Sequence, residues 1–272
     1  DVPTTYDELL SLCQTIADAQ IPVASGSGTV QQRETVKPFV YTSENPDYFD
    51  YTVYTWWAQL AGEQAVKEFT QYASESNYSQ SNATYAKLKD ATQLWLNIFG
   101  EKSYVCSGNS NNDAQQKFAR GEAAMMFNGD WMYNEISNYN LSNANFKLAI
   151  MKTPKAPNAT DSDMLYTIGE DQYIAIPESS IKKDLAKDFI KLMVSDYGCK
   201  MFLNKAKGVL AYECDYTEND FGSDTFLKNL IETRNSYETK FTEYPSMQGE
   251  VVNSTKMLYL AGNVNIWGGM PR

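Results

Sequence analysis

Short apolar runs alternate with longer amphipathic segments along this 272-residue chain, and this alternation limits the fold more than any other feature. Short runs are typical of buried strands, whereas apolar side chains at helical spacing indicate helices that cover a sheet. Helices are predicted from residue 5 and over residues 51–62, 85–99, 113–120, 181–194, 197–204, 224–236 and 249–262. Strands are predicted over residues 21–24, 123–127, 146–151, 172–176 and 210–211. This order predicts an α/β fold with mostly parallel strand pairing.

Two of the helices have clear starting signals. Thr5 and Glu8 have the spacing of a capping box, in which each side chain bonds the other residue's backbone amide. Ser180 is expected to cap the strongly amphipathic helix over residues 181–194. The apolar side chains of that helix are expected to face inward, and they are Ile181, Leu185, Phe189, Leu192 and Met193.

The composition excludes several kinds of chemistry. The chain has no histidine, so Ser-His-Asp and Cys-His nucleophile systems are excluded and the commonest transition-metal ligand is missing. A net charge of −11 argues against a nucleic-acid partner, because phosphate binding needs clustered Lys and Arg. No apolar run is long enough to span a membrane. Without a metal-loop, P-loop or dinucleotide motif, we expect no metal and no cofactor.

Four cysteines are present, at positions 13, 106, 199 and 214, and none forms a C-x-x-C pair. The even number permits two disulfides in an oxidising compartment. Cys199 and Cys214 are close enough in sequence to close a local loop. Buried free thiols are an equally good interpretation of each pair.

The sequence NGDW, at residues 128–131, is predicted to turn from the end of a buried strand into the next helix. Ligands gather at the carboxyl ends of parallel strands, so Asn128, Asp130 and Trp131 are candidate binding residues. Trp131 offers a flat apolar face that suits a sugar ring, and the polar pair can bind hydroxyl groups. The alternatives are a core tryptophan and a helix-capping role for the polar side chains.

Aromatic residues dominate the stretch from residue 48 to residue 57. Tyr51, Tyr54 and Trp57 are further candidates to line a ligand cleft. Some aromatic side chains of this stretch must instead pack in the core, because a single helix cannot present all of them to a ligand.

Four segments together resemble the family of extracellular solute-binding proteins that includes maltose-binding protein. Residues 3–9, PTTYDEL, look like its P-x-T-W-D-E-L helix start, with Tyr6 in place of Trp. Residues 118–131, FARGEAAMMFNGDW, resemble the pattern F-x-x-G-x-A-A-M-x-x-x-G-x-W. Residues 169–176 are similar to a glycine-rich return strand. Residues 184–192 and 195–198 resemble the family's next helix, with Tyr197 where Glu is usual.

The resemblance implies a periplasmic-binding-protein-like type II fold, with two lobes joined by hinge crossings. Residues 1–150 would form the first part of the second lobe, residues 151–219 would return to the first lobe, and residues 220–272 would supply the final helices of the second. Family members carry most of the first lobe before the P-x-T-W segment, so we expect an N-terminally incomplete chain. Its first-lobe piece is expected to expose apolar surface.

The resemblance also adds four candidate ligand contacts. Glu170 and Asp171 come just before a first-lobe strand, where they either bind hydroxyls or are simply solvated. Gln248 and Glu250 precede the last predicted helix, where the family often adds a contact.

The function implied is extracellular binding of a carbohydrate, with delivery to the transmembrane subunits of an ABC permease and no catalysis. The membrane would be contacted only through a lipid anchor that lies outside this sequence, on the cell surface or in the periplasm. The alternatives are a non-sugar ligand such as a peptide or polyamine, a carboxylate-dependent glycoside hydrolase, and an adhesion module. Adjacent carboxylates such as 170 and 171 point opposite ways on a strand and make a poor acid/base pair.

Overall fold

The computed structural model describes residues 1–24, 34–42, 44, 48, 50–72, 81–137, 139, 147–159, 164–168, 174–210 and 212–243. The helices are α1 Tyr6–Ala19, α2 Asp50–Ala61, α3 Glu63–Tyr72, α4 Ala83–Phe99, α5 Asn111–Ala119, α6 Met132–Ser137, α7 Lys183–Met193, α8 Asp196–Ala206, α9 Glu218–Phe221 and α10 Thr225–Asn235. The strands are β1 Lys37–Thr42, β2 Val105–Gly108, β3 Ala123–Met126, β4 Met164–Ile168 and β5 Thr239–Glu243. None of the described helices is long and apolar enough to cross a membrane.

All described strand pairing within the two sheets is parallel, as the sequence predicts. One sheet has the order β2-β1-β3, and the other pairs β4 with β5. Each parallel connection in the first sheet passes through helices, which cover its faces. The carboxyl ends of β1 and β3 therefore lie side by side at one edge of this sheet.

The main core is built from large aromatic side chains contributed by α2, α4 and β1. Trp95 and Phe99 stack with ring centroids 3.9 Å apart, and Tyr41 meets the Trp95 ring edge-on at 5.6 Å. Trp56 and Trp57 are fully buried, yet their indole nitrogens donate to the carbonyls of Pro154 and Thr84, both at 2.8 Å. These bonds remove the cost of burying a polar ring edge.

The first helix and the segment around residue 155 are held together at one point. The amide of Tyr6 donates to the carbonyl of Lys155 and the amide of Lys155 donates to that of Thr4, both at 2.8 Å. The next amide, that of Ala156, donates to the buried Gln59 side chain at 2.8 Å. The start of α1, the helix α2 and residues 154–156 therefore form one hydrogen-bonded unit.

Most of the predicted helices are confirmed within a few residues, and so is the strand β3. The Thr5–Glu8 capping box is present at the start of α1. The helix predicted at 181–194 begins at Lys183 rather than at Ile181, and no side chain caps it. The helix predicted at 249–262 lies outside the described residues.

The strand predictions are weaker. Residues 21–24 contain only an isolated bridge between Pro22 and Thr35, and the described parts of 146–151, 172–176 and 210–211 are not strands. Conversely, the strands β1, β2, β4 and β5 and the helices α3 and α9 are not predicted from the sequence. β1 is nearly all buried and β2 has only four residues, so neither strand shows the alternating pattern of a half-exposed sheet.

The expectation that the apolar side chains of α7 face inward is wrong. Ile181, Leu185, Phe189 and Leu192 are exposed by 93, 68, 59 and 53%. Helical spacing shows that these side chains share a face, but it does not show what covers that face. This part of the chain therefore exposes apolar surface.

We expect Gly108→Ala to destabilise the protein by about 1–3 kcal/mol, because overpacking a close contact forces the backbone to move. A Cβ atom at Gly108 would lie 2.5 Å from the Cβ and 2.7 Å from the backbone nitrogen of Ala114, where α5 crosses the end of β2. Urea unfolding measures the change. Asn109→Ala, at the next and exposed position, is the control, and an equal loss in both variants would contradict the steric explanation.

Candidate functional site

The carboxyl end of β3 leads into a turn over residues 127–131 that opens helix α6. The side-chain oxygen of Asn128 accepts a hydrogen bond from the amide of Gly129 at 2.8 Å. The amide of Met132 donates to the backbone carbonyl of Gly129 at 3.1 Å. The turn is thus closed by its own hydrogen bonds at the edge where ligands bind in parallel sheets.

Trp131 meets two tyrosines at the surface of the protein, Tyr51 in the first turn of α2 and Tyr48 just before that helix. Its ring lies 6.1 Å from Tyr51 and 6.4 Å from Tyr48, edge-on to both, and the two tyrosine rings are 5.3 Å apart. All three side chains are partly exposed. We call Tyr48, Tyr51 and Trp131 the aromatic platform. The structure brings together two residues singled out from the sequence, Trp131 and Tyr51.

Tyr48 is the member that sequence reasoning does not single out as a site residue. The available signal is its position three residues before Tyr51, since residues at this spacing lie on the same side of a helical turn. The aromatic stretch alone does not show which of its rings point outward.

The position of the Trp131 ring depends on Gly129. A Cβ atom at Gly129 would lie 2.1 Å from the Cζ3 atom of Trp131, well inside the contact distance of two carbons. The indole ring therefore occupies the space left by the missing side chain, and a Cβ atom at this position would displace it.

Tyr54 and Trp57 do not belong to the platform, and their expected position at a cleft is wrong. Both side chains are almost completely buried in the aromatic core, where their rings are 6.0 Å apart. Trp57 also meets Phe69 of α3 edge-on at 5.5 Å. One helical turn after Tyr51, α2 has passed beneath the surface, because α3 and α4 cover it there.

A pocket of about 210 Å³ lies beside the turn, between β3 and residues 148–154. Its lining includes Tyr51 and Asn128 together with apolar side chains such as Phe39 and Phe118. The Nδ2 atom of Asn128 is shielded from solvent and donates to no described residue. A buried donor without an acceptor is unfavourable, so an oxygen atom of a ligand in this pocket would stabilise it.

Asp130 has a structural role in the turn. Its Oδ2 atom accepts from the amide of Val209 at 2.9 Å, just beyond the end of α8. A Cβ atom at Gly208 would lie 2.8 Å from the same oxygen, so a side chain at this position would displace the carboxylate. Asn134 donates from its side chain to the carbonyl of Ala206. Asp130 and Asn134 together link the start of α6 to residues 206–209. One carboxylate oxygen of Asp130 is therefore already bonded to the protein and is less available to a sugar hydroxyl.

The remaining candidates, Glu170, Asp171, Gln248 and Glu250, lie outside the described residues. Within the part of the chain that the structure describes, no group of three or more Cys, Asp or Glu side chains could hold a metal ion.

The family model for bacterial extracellular solute-binding proteins matches residues 1–198. The chain belongs to this family. The resemblance stated from the sequence motifs is therefore confirmed, and a family of extracellular proteins places the chain outside the cytoplasm. No match was found among curated proteins.

Several solved structures share the fold. Apo RafE from Streptococcus pneumoniae matches with a TM-score of 0.63 and 16% identity, over 99% of this chain and 63% of its own. A protein from work on xylan utilization by the thermophilic bacterium Caldanaerobius polysaccharolyticus matches with a TM-score of 0.67 and 16% identity, over 96% of this chain and 62% of its own. A chitin oligosaccharide binding protein matches with a TM-score of 0.62 and 17% identity, over 99% and 63%.

The solute-binding protein described here thus has the predicted α/β, type II periplasmic-binding-protein-like fold. It spans a little under two thirds of the length of the structures that it matches.

We expect Asp130→Ala to lower the free energy of unfolding by about 1.5–3 kcal/mol, the usual contribution of a hydrogen bond to a charged group. The matched variant is Asp130→Asn, which keeps an oxygen acceptor for the amide of Val209 and should lose less. Urea unfolding of both variants gives the comparison. A larger loss in Asp130→Asn than in Asp130→Ala would show that the bond to Val209 contributes little.

Proposed function

We propose that this solute-binding protein binds an oligosaccharide outside the cytoplasm and delivers it to an ABC-type permease, without catalysing a reaction. The observation that carries the proposal is the aromatic platform, which lies at the carboxyl end of a parallel strand.

The chemistry of the platform fits a sugar. Pyranose rings present C–H groups on their faces, and these pack on tryptophan and tyrosine rings, while the hydroxyls at the ring edge need hydrogen-bond partners. The two phenol groups and the amide of Asn128 supply such partners next to the ring faces. Because Asp130 is engaged by Val209, recognition is expected to rest on stacking and on neutral groups.

The solved relatives favour the same class of ligand. RafE has been solved in complex with raffinose, and that structure matches this chain with a TM-score of 0.59 and 17% identity. The other two are a protein from work on xylan utilization and a chitin oligosaccharide binding protein. All three names concern oligosaccharides or the polysaccharides from which they derive, so we take oligosaccharides rather than one named sugar as the ligand class.

We further propose that the chain contributes to two lobes. Residues 1–150 and 220–272 would belong to the second lobe and residues 151–219 to the first. In this arrangement the aromatic platform is one wall of the ligand cleft. The exposed apolar face of α7 would pack against the rest of the first lobe, since a face of this size is rarely left in water.

Transport would follow from closure of the two lobes on the ligand, because the closed form differs in shape from the open form and a permease can distinguish them. Attachment to the membrane would be through a lipid anchor on the protein, as for a cell-surface lipoprotein, or would be absent in a periplasmic form.

We expect Trp131→Ala to weaken oligosaccharide binding about tenfold or more, equivalent to roughly 1.4 kcal/mol. Isothermal titration calorimetry with raffinose, xylo-oligosaccharides and chitin oligosaccharides measures this. The matched control is Tyr197→Ala, which removes an exposed aromatic ring from α8, away from the platform. Equal affinities in Trp131→Ala and the unchanged protein would contradict the platform as the binding surface.

Two further outcomes would overturn the ligand class or the absence of catalysis. Heat from a peptide or polyamine, with none from any glycan, would replace the sugar by another solute. Cleavage products from an oligosaccharide, detected by chromatography and lost on mutation of one carboxylate, would indicate a hydrolase.

We expect Gly129→Ala to weaken binding while changing the unfolding midpoint little. The added methyl group would displace the Trp131 ring, which is partly exposed. The substitution should therefore disturb the geometry of the platform more than the packing of the core. Calorimetry and urea unfolding of the same sample separate the two effects. A large loss of stability with unchanged affinity would contradict the role assigned to Gly129.

A further inference from the structure

Two cysteines meet at the side of helix α8, away from the aromatic platform. Cys199 is completely buried on α8, and Cys214 is partly buried in the segment that follows the helix. All four cysteines of the chain are thiols in the structure. The location of the pair does not depend on what the protein binds.

The segment after α8 folds back along the helix, and several contacts hold it there. Tyr216 packs on the apolar cluster around Leu203, which lies one helical turn after Cys199 on the same face. Further along, Asp220 accepts from Lys200 at 3.2 Å, and its backbone carbonyl accepts from the Asn204 side chain at 2.7 Å. The residues of this segment are therefore aligned with α8 over more than one turn.

This alignment brings the two thiols together. Cys214 precedes Tyr216 by two residues, so both side chains can face α8, and the Cys199 thiol lies near enough to Cys214 and Tyr216 to raise the pKa of each. Burial raises the pKa of the Cys214 thiol, and the neighbouring Cys199 raises it further. Burial likewise raises the pKa of Tyr216 to about 12, with the two thiols adding to the effect.

We propose that Cys199 and Cys214 form a disulfide in the mature protein outside the cytoplasm. Cys13 and Cys106, which belong to separate parts of the core, remain thiols. The extracytoplasmic compartment allows disulfides to form and persist, and the location follows from the family and not from the proposed ligand.

The oxidant is a protein or small-molecule disulfide. One cysteine thiolate attacks a sulfur of that disulfide, which forms a mixed disulfide and releases one thiol. The second cysteine thiolate then displaces the other half as a second thiol, so two protons and two electrons leave the pair and reduce the oxidant. Because the Cys214 pKa is raised, little thiolate exists at neutral pH, and the uncatalysed reaction is expected to accelerate with pH.

The disulfide would close a loop that contains residues 206–209, the segment bound by Asp130 and Asn134. A crosslink across this loop restricts the unfolded chain and so stabilises the folded one. It would also hold Gly208 and Val209 in place against the turn that carries Trp131.

The test is to treat the folded protein with glutathione disulfide, block the remaining thiols, and map the peptides by mass spectrometry without reduction. We expect a crosslink between the peptides of Cys199 and Cys214, with Cys13 and Cys106 blocked. The oxidation rate should rise with pH. Recovery of both Cys199 and Cys214 in the blocked form, or of Cys199 linked to a different cysteine, would overturn the proposal.

Stability supplies a second readout with matched variants. Reductant should lower the urea midpoint of the oxidised protein and of the control Cys106→Ser, but not that of Cys214→Ser, which replaces the more exposed member of the pair. An identical response of Cys214→Ser and Cys106→Ser to reductant would also overturn the proposal. Sugar affinity plays no part in either readout, so failure of the oligosaccharide proposal would leave this one standing.

Discussion

The position of the candidate site depends on the packing of one ring, that of Phe127, which immediately follows β3. It stacks on Phe39 of the neighbouring strand with ring centroids 5.0 Å apart and planes 5° from parallel. It also contacts Trp95 at 4.8 Å and Phe99 at 5.4 Å. Because offset aromatic pairs are directional as well as apolar, this packing fixes both the position and the orientation of the chain as it leaves the sheet. This packing therefore also sets the direction in which the chain continues through residues 128–131.

The features that could be predicted from the sequence are those coded by neighbouring residues. The capping box of Thr5 and Glu8 and the apolar spacing of α4 depend on local geometry, so the helices are found close to their true ends. The sheet is different. The six residues of β1 are nearly all buried, so they show no alternation of apolar and polar side chains, and β2 has only four residues. Their pairing partners are distant in sequence and leave no local pattern.

The candidate site likewise combines features that neighbouring residues determine with features that residues distant in sequence determine. The turn at 128–131 is coded locally and is confirmed as a turn at the end of β3. Which aromatic residues of α2 face outward is decided by the helices that cover it, and these place Tyr51 at the surface and Tyr54 in the core. The role of Asp130 depends on Val209, which is 79 residues away. No pattern within the turn distinguishes a carboxylate that binds a ligand from one that binds the backbone.

The bonds among Thr4, Tyr6 and Lys155 have a mechanical consequence. A reciprocal pair of backbone hydrogen bonds holds residues 4–6 beside Lys155, although the two stretches are far apart in sequence. Trp56 and Gln59 also bond Pro154 and Ala156 to the core. The two stretches cannot shift independently. A displacement of residues 154–156 would therefore also move the start of α1.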